Sequence, residues 1–200
     1  MHLNNLNAPV LNVLTSFSKI SDMVMQTRIW KYLTKYNILT TDQYGFSLGL
    51  KTDNAICKLT NEILNTLNNK LLVGGIFCDL ETTFDCVDHD ILLSKLNFYA
   101  INVKDHALYQ SYLDNRYVRT AIYTDSDYSH KVSTWAKARQ GVPQCSVLGP
   151  IFFLLHINDL PKIINKTSAP LIFADDTTIL FYHYNLTGFN NNILSLQILK

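Results

Sequence analysis

The stretch that decides the fold is Leu171-Ile172-Phe173-Ala174-Asp175-Asp176-Thr177-Thr178-Ile179-Leu180-Phe181. Apolar residues run up to a pair of aspartates and away from it. Two strands joined by a tight turn read this way. Neither arm carries a charge, so both arms call for burial, and the hairpin then holds Asp175 and Asp176 close together at its tip. Two neighbouring carboxylates repel unless a cation lies between them. Aspartate oxygens suit Mg²⁺ or Mn²⁺. An ordinary turn explains Asp-Asp too, because Asp tolerates turn backbones, so the rest of the chain must decide.

The 200 residues suit one domain or two small lobes. With 48% apolar and 16% charged residues the chain reads as globular rather than disordered. A net charge of +1 speaks against a strongly basic nucleic-acid binder. The charge is uneven, however: residues 1–78 hold seven Lys/Arg and four Asp/Glu, and residues 79–200 hold ten and twelve. Cys57, Cys78, Cys86 and Cys145 form no C-x-x-C pair and read as reduced thiols of an intracellular protein. No eighteen-residue apolar run and no signal peptide stand out, so no membrane is expected.

Residues 16–36 predict a helix with Phe17, Ile20, Val24, Trp30 and Leu33 at roughly helical spacing. Residues 43–52 predict a Gly-punctuated loop. Asp53 is expected to cap a second helix whose inner face carries Ile56, Leu59, Ile63, Leu64 and Leu67. Leu71 to Leu80 reads as a buried strand that delivers Asp79 at its end. A charge closing an apolar strand is seldom a core choice. Asp85 or Asp88 suits the cap of a helix carrying Ile91, Leu92, Leu96 and Tyr99. A short helix is expected over 104–115. Residues 117–124 and 131–139 predict two strands around Asp125-Ser126-Asp127. The loop Gln140-Gly141-Val142-Pro143-Gln144-Cys145-Ser146-Val147-Leu148-Gly149-Pro150 opens a helix through about Leu160, with Pro150 in its first turn. His156 has no second His at ligand spacing and reads as a core or surface histidine.

If the strands ending at Asp79 and flanking Asp175-Asp176 are neighbours, three carboxylates converge. Two divalent ions held this way activate an attacking oxygen and stabilise a leaving phosphate oxygen. Phosphoryl and nucleotidyl transfer need mainly positioning and charge neutralisation.

At this point the chain resembles a known family, the reverse transcriptase domain of non-LTR (LINE-type, jockey-like) retrotransposons. Gln43-Tyr44-Gly45-Phe46 resembles the fingers motif Q-F-G-F-R-x-x-x-S-T. Phe77-Cys78-Asp79-Leu80 with Phe84-Asp85-Cys86-Val87-Asp88-His89-Asp90-Ile91-Leu92 resembles palm motif A, D-x-x-K-A-F-D-x-V-x-H. Gly141-Val142-Pro143-Gln144, Ser146-Val147-Leu148-Gly149-Pro150 and Ile157-Asn158-Asp159-Leu160-Pro161 resemble motif B and the I-N-D-L-P after it. Phe173-Ala174-Asp175-Asp176 resembles motif C, [FY]-A-D-D.

The resemblance implies an α+β right-hand polymerase: fingers over 1–70, palm with motif A over 71–110, fingers-side strands over 111–139, and palm with motifs B and C over 140–200. It implies a small antiparallel palm sheet packed on helices, clipped fingers and no thumb, as in a truncated copy. It implies RNA-directed DNA polymerase chemistry with two Mg²⁺ or Mn²⁺ ions at Asp79, Asp175 and Asp176. Phe84 matches the aromatic under the incoming sugar, and Pro143 and Gln144 match the loop lining the nucleotide pocket. Lys51 is a candidate for the triphosphate. The implied partners are an RNA template, a DNA primer and deoxynucleoside triphosphates, with no obligate protein partner, in nucleus or cytoplasm.

The departures are Ser47 where the fingers motif has Arg, Thr82-Thr83 where motif A has Lys-Ala, and Cys145 where motif B has Gly. The first removes a bidentate phosphate donor, and the last adds a side chain where backbone should pass close to the nucleotide. They leave open a second reading, an inactive remnant with weak, salt-sensitive nucleic-acid binding. A third takes Asp79-Leu80-Glu81-Thr82-Thr83 for the D-x-D-x-T loop of a haloacid-dehalogenase-like phosphatase; Glu81 stands there in place of Asp.

Overall fold

The computed structural model describes residues 16–79, 83–101, 103–114, 116–123, 130–143, 146–164 and 168–197. Its contacts divide the chain into two compact units, Met1–Arg28 with Phe84–Phe152, and Ile29–Thr83 with Phe153–Lys200. Helices and small antiparallel sheets make up both, an α+β arrangement. No helix among the described residues is long and apolar enough to cross a membrane.

Helix α1 (Ser16–Lys35) runs from one unit into the other. Its buried stripe is Asp22, Met25, Ile29 and Leu33, whereas Ile20 and Val24 are exposed. The expected stripe is therefore rotated. Apolar residues on both sides of α1 left the inner face undetermined, and tertiary packing chose the one holding an aspartate.

The second unit is built on a three-stranded antiparallel sheet, β1 (Leu72–Cys78), β6 (Ser168–Phe173) and β7 (Asp176–His183), in the order β1-β7-β6. The uncharged arms around Asp175-Asp176 form β6 and β7, as the alternation and turn require. Ile179 and Phe181 of β7 join Ile164 in a core packed by Ile76, Leu160 and Phe189. Helices α2 (Thr52–Asn68) and α7 (Leu186–Gln197) lie against this sheet. The Phe189 ring of α7 lies over Gly74, where a Cβ would stand 2.5 Å from it. Strand β1 is not the buried strand expected, for Phe77 is 73% exposed and Leu72 42%. It lies at the sheet edge with β7 on one side.

Helix α2 departs from expectation twice. Its N-cap is Lys51, whose N–H donates to Asn54 Oδ1 at 2.8 Å, and Asp53 lies in the first turn. There its negative charge still opposes the helix dipole. Ala55 and Thr66 are buried on α2, while Ile56, Leu64 and Leu67 are exposed.

In the first unit, Asp88 caps α3 (His89–Phe98), accepting from the Ile91 N–H at 2.9 Å. Leu92 and Leu96 are fully buried, and α3 packs on α4 (Val103–Leu113). The two strands expected over 117–139 are one interrupted ribbon. β2 (Tyr117–Val118) pairs with β5 (Ala136–Lys137), and β3 (Ala121–Tyr123) with β4 (His130–Val132). Residues 124–129, the expected turn, lie outside the described residues. Helix α5 (Gly149–Ile157) opens with Gly149-Pro150 and buries Phe152, Phe153, Leu154 and Leu155. It ends before the expected Leu160, which starts the short α6 (Leu160–Ile163). Cys57, Cys78 and Cys86 are exposed and lie in no disulfide.

Candidate active site

Strands β6 and β7 are joined by a two-residue turn, Ala174-Asp175, because Phe173 pairs with Asp176. Ala174 adopts φ +58°. A left-handed first turn residue matches the right-handed twist of a hairpin, which is why glycine usually stands there. Alanine costs about 1–2 kcal/mol in that backbone region, so the turn has to be held from outside.

Gln43 holds it. Its side chain is buried, and Oε1 accepts from the Ala174 N–H at 3.0 Å and from the Gly45 N–H at 2.7 Å. Its Nε2 donates to the Ala174 carbonyl at 3.2 Å. The segment carrying Gln43 lies along β6: the Tyr44 N–H donates to Ile172 O at 2.8 Å, and the Ile172 N–H to Asp42 O at 2.9 Å. Gly45 is required there, since any Cβ would overlap the Ala174 backbone. Asn158 anchors the start of the segment, accepting from the Thr40 N–H and donating to Ile38 O, both at 2.8 Å.

Asp175 is half-buried at the turn and accepts from the Thr83 hydroxyl at 3.2 Å. Asp176 is exposed and is the first residue of β7. Asp79 is exposed and follows β1. Cys78, just before Asp79, pairs with Thr177, just after Asp176. The ladder therefore brings Asp79 and Asp176 to the same end of adjacent strands, where facing Cα atoms are about 4.5–5.5 Å apart. Among the described residues no group of three or more His, Cys, Asp or Glu side chains is assembled to hold a metal ion. The donor chemistry is of the kind a divalent ion takes, since Asp79, Asp175 and Asp176 carry hard carboxylate oxygens.

The first unit carries the other expected site residues. The Gly141 N–H donates to Val87 O and the Val142 N–H to Phe84 O, each at 2.8 Å, tying the loop to the Phe84 segment. Gly141 has φ +84°, and a Cβ would lie 2.9 Å from Asp85 Cα, so no other residue fits. The Gly141 carbonyl accepts from Arg116 Nη1 at 2.9 Å and from His89 Nε2 at 2.8 Å, which sets the His89 proton on Nε2. Pro143 is buried beside this pinned peptide. Below the loop, Asp22 is 1% exposed and accepts from the Tyr112 hydroxyl at 3.4 Å and from the Val147 N–H. Burial raises the Asp22 carboxyl above its usual range, against these two bonds, which favour its charged form. Burial likewise pushes the Tyr112 phenol up to about 12.

Lys51 is exposed at the start of α2. Gln144, Cys145 and Thr82 lie outside the described residues. The sequence places Gln43 and Asn158 in motifs without giving either a task, and Thr83 stands in it as a departure from motif A and as the last residue of the D-x-D-x-T reading. A buried amide clamping a strained turn has no periodic signature; the sole cue was Gln43 lying two residues before a glycine.

The chain matches the family described as reverse transcriptase (RNA-dependent DNA polymerase) over residues 9–188. It is 30% identical over 177 residues to the probable RNA-directed DNA polymerase from transposon BS of Drosophila melanogaster, covering 86% of this chain and 19% of that one. It is 26% identical over 173 residues to the RNA-directed DNA polymerase from mobile element jockey of the same organism, covering 86% of this chain and 18% of that one. The chain thus spans about a fifth of the length of these relatives. Its fold is similar to telomerase from Candida tropicalis in complex with a fragment of telomeric RNA, with TM-score 0.53 and 14% identity over 90% of this chain and 31% of that one. Candida albicans telomerase gives TM-score 0.52 and 13% identity over 90% of this chain and 32% of that one.

Proposed function

Because the chain belongs to the reverse transcriptase (RNA-dependent DNA polymerase) family, we propose that it carries the nucleotidyl-transfer carboxylates of an RNA-directed DNA polymerase, which extends a DNA primer on an RNA template. Members of the family generally use divalent metal ions. Asp79, Asp175 and Asp176 would hold two of them, Mg²⁺ or Mn²⁺. Ions held by these carboxylates would supply activation of a primer oxygen and neutralisation of charge on the departing diphosphate.

The chain's own residues prepare the site. Gln43 fixes the turn, so Asp175 needs no rearrangement to serve as a ligand. Thr83 orients one Asp175 oxygen. In the first unit Phe84 is proposed for the incoming sugar, Pro143 and Gln144 for the nucleotide, and Lys51 in the second for the triphosphate. The observation that carries the reading is the clamped Ala174-Asp175 turn at the same sheet end as Asp79. Assignment of residues 1–70 and 111–139 to fingers and the rest to palm belongs to the same proposal. The phosphatase reading is set aside, because the reverse transcriptase match spans residues 9–188 and the D-x-D-x-T reading accounts for none of the later motifs.

One observation favours the inactive reading. Ser47, at the family's arginine position, spends its hydroxyl on Gln43 O at 2.9 Å and offers no phosphate donor. Primer extension on poly(rA)–oligo(dT) with Mn²⁺ separates the two. The proteins are the chain itself, a restored chain with Ser47→Arg, Thr82→Lys and Cys145→Gly, and the restored chain with Asp175→Asn. Extension by the restored chain, abolished by Asp175→Asn, is the expected result. Silence of both the parent and the restored chain overturns the catalytic reading.

A further inference from the structure

Two side chains outside the proposed catalytic set converge on one backbone carbonyl. Arg116 Nη1 donates to the Gly141 carbonyl at 2.9 Å, and His89 Nε2 donates to it at 2.8 Å. That carbonyl and the Val142 N–H belong to the same peptide, and the Val142 N–H donates to Phe84 O at 2.8 Å. The peptide is thus gripped from both sides. Two donors hold its oxygen, and its hydrogen points at the residue proposed for the sugar. Gly141 has φ +84°, and a peptide beside glycine turns over readily because no Cβ obstructs it. A turned peptide would set its oxygen against Phe84 O and take the acceptor away from Arg116 and His89. The two donors oppose that turn, and by polarising the carbonyl they strengthen the bond its N–H makes.

Phe84 stands half-buried in a turn, outside any helix or strand, so no ladder sets its place. The neighbouring ties, Gly141 N–H to Val87 O and the bridge between Asp88 and Gln140, align the two segments three or more residues further on. His89 is buried at the start of α3, and Arg116 is half-buried, with its own carbonyl accepting from the Ala138 N–H at 2.8 Å. Both donors are therefore fixed before they reach Gly141. The guanidinium bond is charge-assisted, roughly twice as strong as a neutral one. A ring beneath a sugar discriminates by space, leaving no room for a further hydroxyl, and a misplacement of about 1 Å is enough to lose such an effect. We infer that Arg116 and His89 are positioning residues for sugar selection, holding the Gly141–Val142 peptide so that Phe84 keeps its place; this deepens the proposed role of Phe84 and rests on it.

The test reads nucleotide binding and needs no catalysis. The whole chain is loaded with Mn²⁺ and with poly(rA)–oligo(dT) whose primer ends in a dideoxynucleotide, so no bond forms. dUTP and UTP, which differ only at the 2′ carbon, are then titrated in by calorimetry. The parent is expected to prefer dUTP about 100-fold, and Phe84→Val to lose most of that preference. Arg116→Met and His89→Phe should each lower it about tenfold, the worth of one such hydrogen bond, by tightening UTP rather than by weakening dUTP. Arg116→Lys and His89→Gln keep a donor and should retain most of the preference. Arg116→Gln stands in if Arg116→Met does not melt cooperatively, and should lose part of it. Parental preference in both Arg116→Met and His89→Phe, or equal weakening of the two nucleotides as a merely structural role would give, overturns the inference. An unselective parent, or full preference kept in Phe84→Val, overturns the reading of Phe84 and the inference with it.

Discussion

Gln43 carries more of the local architecture than its size suggests. Its amide satisfies both polar groups of the Ala174 peptide and one of Gly45. Gln43→Ala leaves these buried groups unpaired, and each such loss costs about 1–3 kcal/mol. Urea denaturation should show a loss of about 3 kcal/mol or more, with Gln43→Glu recovering little because it lacks the donor to Ala174 O. Ala174→Gly runs the other way. It relieves the left-handed strain and should gain up to about 1 kcal/mol, the greater backbone entropy of glycine taking back part of the relief. Asp22 gives a residue-scale pH signature. Its folded pKa is raised, so the fold favours the protonated form. Its contribution is fully present below the unfolded pKa and is lost as pH rises through the folded value. Asp22→Asn should therefore match the parent near pH 3 and exceed it in urea midpoint at pH 7.

At the level of elements, strand β1 shows how edge position overrides composition. The apolar run Leu72-Val73-Gly74-Gly75-Ile76-Phe77 reads as a core strand, yet Phe77 faces solvent. Phe77→Thr should change stability by no more than about 0.5 kcal/mol. Gly74→Val should do far more, because its side chain would occupy the place of the Phe189 ring. The expected readout is loss of amide-exchange protection in α7 (Leu186–Gln197), with β6 and β7 still protected. Gly74 leaves the room that the Phe189 ring of α7 occupies.

For the whole molecule, the proposal that Asp79, Asp175 and Asp176 hold divalent ions makes stability depend on the metal. Linkage turns this into a measurement: a ligand that binds only the folded state adds RT ln(1 + [L]/Kd) to its stability. Added Mn²⁺ should raise the melting temperature of the parent, while Asp79→Asn and Asp175→Asn should lose the rise. Without metal the same variants should melt no lower than the parent. Absence of any Mn²⁺ effect on the parent would count against the proposed ion sites.

By itself the sequence determined the hairpin around Asp175-Asp176, a cap at Asp85 or Asp88 that the structure gives to Asp88, the motif order and hence the family, because these rest on local rules of turn chemistry, capping and alternation. It could not choose among competing apolar faces. Leu33 is buried as expected, but Ile20 and Val24 are as apolar as Met25 and Ile29, so only the packed structure decided which side of α1 is buried. The pairing of β1 with β7, which puts Asp79 beside the Asp175 turn, joins residues nearly a hundred positions apart. The clamp of Gln43 on Ala174 spans 131 positions. Neither distance leaves a periodic trace in the chain, since long-range contacts are set by which surfaces exclude water together rather than by the residues next in line.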